Sequence, residues 1–307
     1  MPVPLPGLTG LKVTFRGVRG STPSPGRLTA RYGGNTSCVE VRASDEILIL
    51  DAGSGIRNLG TDLVSEFGAM PIAASLLISH THWDHIQGLP FFVPAFSAQN
   101  RIRVLTAKNS GAKVDRGLNN QMDPIHFPVG LDQLRALTKV GELDADEHSI
   151  GPFRVRTTEL NHPGGCAGFR IEASGGSLAY LSDHEPDLTD KKASRNLVDF
   201  VHDVDLLILD TQYTDAEYRH RRGWGHGCLS ESVAIAVEAG VKRLALFHHD
   251  PAHDDEQIDA MAAVARQMAS PASLIIGGAT ENETISLGQG NLSVMQDPSP
   301  AKRSLKA

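Results

Sequence analysis

Cysteine is scarce in this chain. Cys38, Cys166 and Cys228 are odd in number and form no C-x-x-C pair, which argues against a disulfide framework or a cysteine zinc site. No apolar run approaches the roughly 18 residues of a membrane helix, and Met1 to Gly10 lack the charged and apolar regions of a signal peptide. The expectation is therefore a cytoplasmic protein with no membrane partner. Excess positive charge is missing too. The formal net charge is −7, whereas a protein that grips a long polyanion ordinarily presents a basic surface. No repeat, low-complexity block or linker breaks the alternation of strand and helix signals. With 307 residues and 40% hydrophobic content, the chain can bury a large core. The expected organisation is one α/β domain over 1–295 and a flexible tail over 296–307.

What the chain does have is histidine concentrated in one place. His80-Thr81-His82-Trp83-Asp84-His85 follows the apolar run Ser75-Leu76-Leu77-Ile78. At the end of a strand, residues two apart project to the same side, so His80 and His82 can converge. A turn beginning at Trp83 then presents Asp84 and His85 from a second direction. Imidazole and carboxylate donors suit zinc, with manganese or iron as alternatives. Two metals need more ligands than four, and other strand ends supply them. Phe153 to Leu160 leads to Asn161-His162, Ser177 to Ser182 leads to Asp183, and Arg243 to Phe247 leads to His248. In open α/β sheets the site lies outside the carboxyl ends of the strands, where all of these candidates fall. His249 is the rival of His248 as a ligand. Asp210, after Leu206 to Leu209, is a candidate to orient a ligand from behind or to serve as a cap. His184 and His253 are candidates for the pocket lining.

These residues resemble the metallo-β-lactamase superfamily, with its H-x-H-x-D-H signature followed by a lone His, a bridging Asp and a final His. Three further segments carry the resemblance: Gly17 to Pro23, Tyr32 to Cys38, and Glu46 to Gly55. The resemblance implies a four-layer αββα sandwich. It also implies two divalent metal ions, zinc or manganese, held by His80, His82, Asp84, His85, His162, Asp183 and His248, with Asp183 bridging. Class B β-lactamases carry Cys or another His pattern among their ligands, and flavodiiron proteins carry Glu where this chain has His82. The branches left are glyoxalase II-like thioesterases and phosphodiesterases related to ribonuclease Z.

Gly225 to Ser230 favours the phosphodiesterases, because it puts His226 near the start of an amphipathic run, where free backbone amides favour an anion. It is similar to a histidine region of ribonuclease Z, although Gly227 and Cys228 stand where that family has hydroxyls. The short gap between His162 and Asp183 leaves no room for the long tRNA-binding arm of bacterial ribonuclease Z. With the negative charge, it points to a small-molecule phosphodiester as the substrate, and a further resemblance implies that this is a 3′,5′-cyclic nucleotide. Arg19, Tyr32 and Asn35 lie in segments that resemble those of bacterial cyclic-nucleotide enzymes. Arg19, Asn35, His184 and His249 are thus the candidate substrate contacts. The expected chemistry is hydrolysis by a hydroxide shared between two ions, with Asp84 orienting it or taking its proton and His226 serving the leaving group. Hydrolysis of a thioester or lactone, and metal sensing without catalysis, are the alternatives.

Strands are expected near 11–16, 36–42, 46–50, 75–79, 102–106, 153–160, 168–173, 177–182, 205–209 and 243–247. Helices are expected in 54–66, 111–121, 190–202, 230–239 and 254–269. The irregular stretch 109–148 is a candidate lid or dimer contact, and a homodimer is an expected assembly.

Overall fold

Two seven-stranded sheets face each other in the computed structural model, which describes residues 10–143, 147–187, 189–270 and 272–288. The expected tail, 296–307, and the ends of the expected domain, 1–9 and 289–295, lie outside the described residues. The first sheet is built from β1 (Leu11–Gly17), β2 (Cys38–Ala43), β3 (Glu46–Leu50), β4 (Ala73–Ile78), β5 (Arg101–Thr106) and β6 (Gly141–Glu142). The second comprises β7 (His148–Ile150), β8 (Phe153–Leu160), β9 (Cys166–Ala173), β10 (Gly176–Leu181), β11 (Leu206–Asp210), β12 (Arg243–Phe247) and β13 (Ile275–Gly278). The last strand, β14 (Thr284–Leu287), returns to the first sheet and pairs antiparallel with β1, Val13 opposite Ile285. In both sheets the pairing changes from antiparallel to parallel partway across. β3, β4 and β5 run parallel in one, and β10 to β13 in the other.

Side-chain alternation explains the layering. In β3, Leu48 and Leu50 face the other sheet while Ile47 and Ile49 face outward, as the period of two requires. The inner core joins Val13, Phe15, Val41 and Leu77 to Phe169, Ile171, Tyr180 and Phe247. Outside the first sheet, Ile49, Leu76 and Val104 pack with Leu59 and Leu63 of α1 (Ile56–Phe67) and with Val114 and Leu118 of α3 (Gly111–Gln121). Outside the second sheet, Leu181, Leu207 and Leu246 pack with three helices: α4 (Lys191–Val201), α6 (Leu229–Glu238) and α7 (Asp255–Met268). The expected four-layer αββα sandwich is the architecture found. Strands that are apolar on both faces, such as β11, fit this burial between a helix layer and a sheet.

The expected strands and helices lie within a few residues of those observed. β6, β7, β13 and β14 were not expected. They are short, two to four residues each, and β6, β13 and β14 pair with strands well separated from them in sequence. The stretch 109–148 contains α3, and its irregular part places Met122, Leu134 and Ala136 against the outer face of the first sheet. Among the described residues no helix is long and apolar enough to cross a membrane.

Phe169 lies between the sheets with no exposed surface. Phe169→Ala should destabilise the protein by about 3–5 kcal/mol, mostly through the cavity it leaves, read as a lower denaturant midpoint at unchanged slope.

Candidate metal centre

The site forms where strands of both sheets end. β4 runs out into His80 and His82, and the one-turn helix α2 (Trp83–Ile86) presents Asp84 and His85 from the other direction. β8, β10 and β12 lead to His162, Asp183 and His248. Two groups of donors result. His80, His82, His162 and Asp183 form one; Asp84, His85, Asp183 and His248 form the other. Asp183 belongs to both, and its two oxygens divide between them. Oδ2 lies 3.7 Å from the Nε2 atoms of His80 and His162, while Oδ1 lies 2.9 Å from His85 Nε2 and 3.4 Å from His248 Nε2.

Four of the histidines are anchored alike. Nδ1–H of His85 donates to Asp51 (2.8 Å), that of His162 to the Gly225 carbonyl (2.8 Å), that of His248 to Gln212 Oε1 (3.0 Å) and that of His80 to Ser79 Oγ (3.1 Å). Each Nε2 is thereby turned toward the centre, the arrangement that fixes tautomer and direction in metal-binding histidines. His82 differs, presenting Nδ1 at 3.0 Å from His162 Nε2.

The donor set fits divalent cations. Asp51, Asp84 and Asp183 are buried together, and three buried carboxylates demand compensating positive charge. Among the described residues, His80 Nε2, His85 Nε2 and Asp183 Oδ1 are buried without a hydrogen-bond partner; the 2.9 Å contact between the last two lacks hydrogen-bond geometry. Burial pushes the His80 imidazole well below its usual range, reinforced by the neighbouring His85, which leaves it neutral as a ligand must be. Burial opposes a proton on His85 as well, but the charges of Asp183, Asp84 and Asp51 outweigh it and hold that pKa well up. A cation in the second group would take that proton's place.

His226 completes the mouth, a cavity of about 440 Å³ also lined by Ser21, His82, Trp83, Asp84 and Asp183. Its Nδ1–H donates to Asp210 Oδ2 at 2.9 Å. Burial lowers the His226 pKa, but the charge and hydrogen bond of Asp210 outweigh it and raise the group to about 9. Asp210 also accepts from the His184 and Gln212 amides, so it orients His226 and the loop.

His248 joins the centre, whereas His249 turns away to bond the Ala279 carbonyl. Arg19 is fully buried, donating to the carbonyls of Gly33, Asp250 and His253. Asn35 is held by Glu281 and Ser54. His184 accepts from the Asn161 amide and lines a separate cavity. These four, the substrate contacts expected from the sequence, are not among the described residues that line the mouth. Tyr32 is likewise fully buried. His253 is nearly buried and pairs with Glu217.

Some contributors were not anticipated. Asp51 takes bonds from Ser79, His85 and Tyr180. It directly follows β3, so the strand-end rule reaches it. The Ser21 amide donates to Asp84 at 2.7 Å. Glu185 accepts from the amides of Gly223 and Gly225 and from the Tyr218 hydroxyl, shaping the loop that holds His162 and His226. Neither Ser21 nor Glu185 carries a signal in sequence. Asp51, His248 and Ser21 adopt positive φ (60°, 60° and 61°), a backbone cost that clusters at the site.

A family model described as beta-lactamase superfamily domain matches residues 47–249. The chain is 27% identical over 282 residues to the protein named ribonuclease Z of Halobacterium salinarum, covering 78% of this chain and 86% of that protein. It is 22% identical over 294 residues to ribonuclease Z of Bradyrhizobium diazoefficiens, covering 82% and 93%. Among solved structures, the metallo-β-lactamase fold protein YhfI from Bacillus subtilis superposes with a TM-score of 0.66 at 19% identity, covering 90% of this chain and 99% of YhfI. Human tRNase Z, short form, gives 0.61 at 21% identity, covering 91% of this chain and all of that one.

These relatives overturn the expectation of a small-molecule substrate with tRNA excluded. The short gap between His162 and Asp183 concerns one place where RNA could be gripped, not every place. The net charge sums the whole surface, but Lys108 and Lys113 line a cleft that reaches His80, and polyanion binding follows the local field.

Asp183→Ala should remove the shared ligand and leave the purified protein with fewer bound metals, measured by elemental analysis; full retention would refute a bridging role. His226→Ala, which leaves both donor groups intact, should keep the wild-type metal content. The family match and the geometry agree: the chain belongs to the beta-lactamase superfamily, on its ribonuclease Z-like side, and is a metal-dependent hydrolase.

Proposed function

We propose that the chain is a two-metal phosphodiesterase that cleaves a phosphodiester bond of RNA. The observation that carries this is the shared carboxylate of Asp183 between two donor groups, with His226 on the same mouth. Relatives named ribonuclease Z, aligned over most of their length, support RNA as the substrate class.

One ion would be held by His80, His82, His162 and Asp183, the other by Asp84, His85, His248 and Asp183. Zinc suits this histidine-rich set. When bound, two such ions supply Lewis acidity toward the phosphoryl oxygens and lower the pKa of coordinated water. The chain's own groups do the rest. Asp84, steadied by the Ser21 amide, is the carboxylate at the mouth that can accept a proton from an attacking water. His226 has Nδ1 committed to Asp210, which leaves Nε2 as its free nitrogen. At about 9 its pKa keeps it protonated at neutral pH. Cations held in the adjoining groups would draw that value down, toward the neutral range in which a general acid is most effective. Nε2–H is thus available to donate to the leaving oxygen or to stabilise charge on the phosphoryl group.

Metal-loaded protein should cleave an RNA substrate such as a tRNA transcript and, more slowly, a bis-aryl phosphodiester. His226→Ala should reduce kcat by about 10²–10⁴-fold. Turnover of a cyclic nucleotide or a thioester with no cleavage of any RNA would overturn the proposal.

A further inference from the structure

The mouth of the centre does not stand alone. A second chamber of about 420 Å³ shares Thr81 and Trp83 with it and extends to Phe91, Gln121, His126 and Phe127. On the other side, a cleft of about 410 Å³ shares Thr81 and is lined by His80, Lys108 and Lys113. Thr81 is therefore the common edge of three adjoining cavities.

The chamber that reaches Phe91 and Phe127 has a distinctive chemistry. Trp83 sits between His82 and Asp84, so the backbone of the histidine motif fixes its place, yet its side chain is 77% exposed. Phe91 is half exposed and meets Phe127 edge to face, with ring centres 5.5 Å apart at 86°. Among the described residues, Gln121 Nε2 is buried with no hydrogen-bond partner, and a buried amide left unpaired costs free energy that a ligand's acceptor would recover. Flat aromatic surface beside an unspent amide donor is what an unstacked nucleobase requires, since bases stack on aromatic rings and are read along their edges. An apolar protein side chain would cover the rings but leave the amide unpaired. The two lysines across Thr81 suit a phosphate of the same strand and would repel a basic partner.

We propose that this chamber is a nucleobase subsite of the metal centre. A base next to the scissile phosphodiester stacks on Trp83 and takes a hydrogen bond from Gln121, while the backbone on the opposite side passes Lys108 and Lys113. The proposal rests on RNA being the substrate and adds which residues hold it.

The test uses the full, metal-loaded chain and a fluorescent single-stranded RNA oligonucleotide slowed to cleavage by phosphorothioate linkages, with one abasic residue placed at each position in turn. Binding is read by anisotropy, so it does not depend on turnover. At one position, loss of the base should weaken binding to the wild-type protein by about tenfold, within the range for stacking on one aromatic side chain. Trp83→Ala should bind the intact RNA about tenfold more weakly and no longer distinguish the abasic one; Trp83→Phe should restore most of the difference. If Trp83→Ala sheds metal, Phe91→Ala and Gln121→Ala decide, each expected to shrink the abasic difference with metal content retained. Lys113→Ala should flatten the salt dependence of binding. Wild-type protein indifferent to every abasic position, or a variant set that keeps the full difference, would overturn the subsite. Base-dependent binding without cleavage of any RNA would instead sink the proposed activity and leave the subsite standing.

Discussion

Three carboxylates, those of Asp51, Asp84 and Asp183, lie buried against histidine imidazoles at one end of the sandwich. Removing each such charge from water costs several kcal/mol, and the fold accepts that only where hydrogen bonds and positive charge answer it. Much of the surrounding structure follows from this constraint. Asp51 is answered by Ser79, His85 and Tyr180. Asp84 receives the Ser21 amide, and Asp183 is left with oxygens directed at two separate groups of imidazoles. The hydrophobic core between the sheets stabilises the frame against which these groups are held.

The same constraint explains where the backbone is strained and which loops are anchored. His248 and Asp51 leave their strands at positive φ, which turns their side chains toward the centre instead of along the strand. Ser21, also at positive φ, donates its backbone amide to Asp84 from the loop after β1. Glu185 gathers the amides of Gly223 and Gly225 and so holds the loop whose carbonyl orients His162 and whose next residue is His226. A proposed metal ligand and a proposed proton donor are thus set by one buried carboxylate that touches neither.

Function on this frame depends on what borders the mouth. The donor groups agree with a metal-dependent hydrolase, but they do not choose a substrate. Substrate choice lies in the surrounding cavities, with an exposed tryptophan on one side and lysines on the other. Whole-chain charge and a single loop length are poor guides to it. Both average over, or ignore, the local surface a substrate meets, which is why the expected exclusion of tRNA did not survive comparison with the relatives.

The histidine motif and the polar residues that follow β8, β10 and β12 were legible in the chain, because each is a local pattern of position. They pointed to the candidate ligands, and the strand and helix patterns to most of the elements; the αββα class was implied by the family resemblance that the motif carried. What only the tertiary structure decided are the relations between distant segments. These include the return of β14 to β1, the placing of His248 and not His249 among the donors, the position of Arg19, Asn35, His184 and His249 outside the lining of the mouth, and the contacts of Glu185 and Gln212 that hold the site. Each depends on which backbone groups meet across hundreds of residues and on which polar atoms burial leaves to be satisfied. A linear pattern carries no record of either.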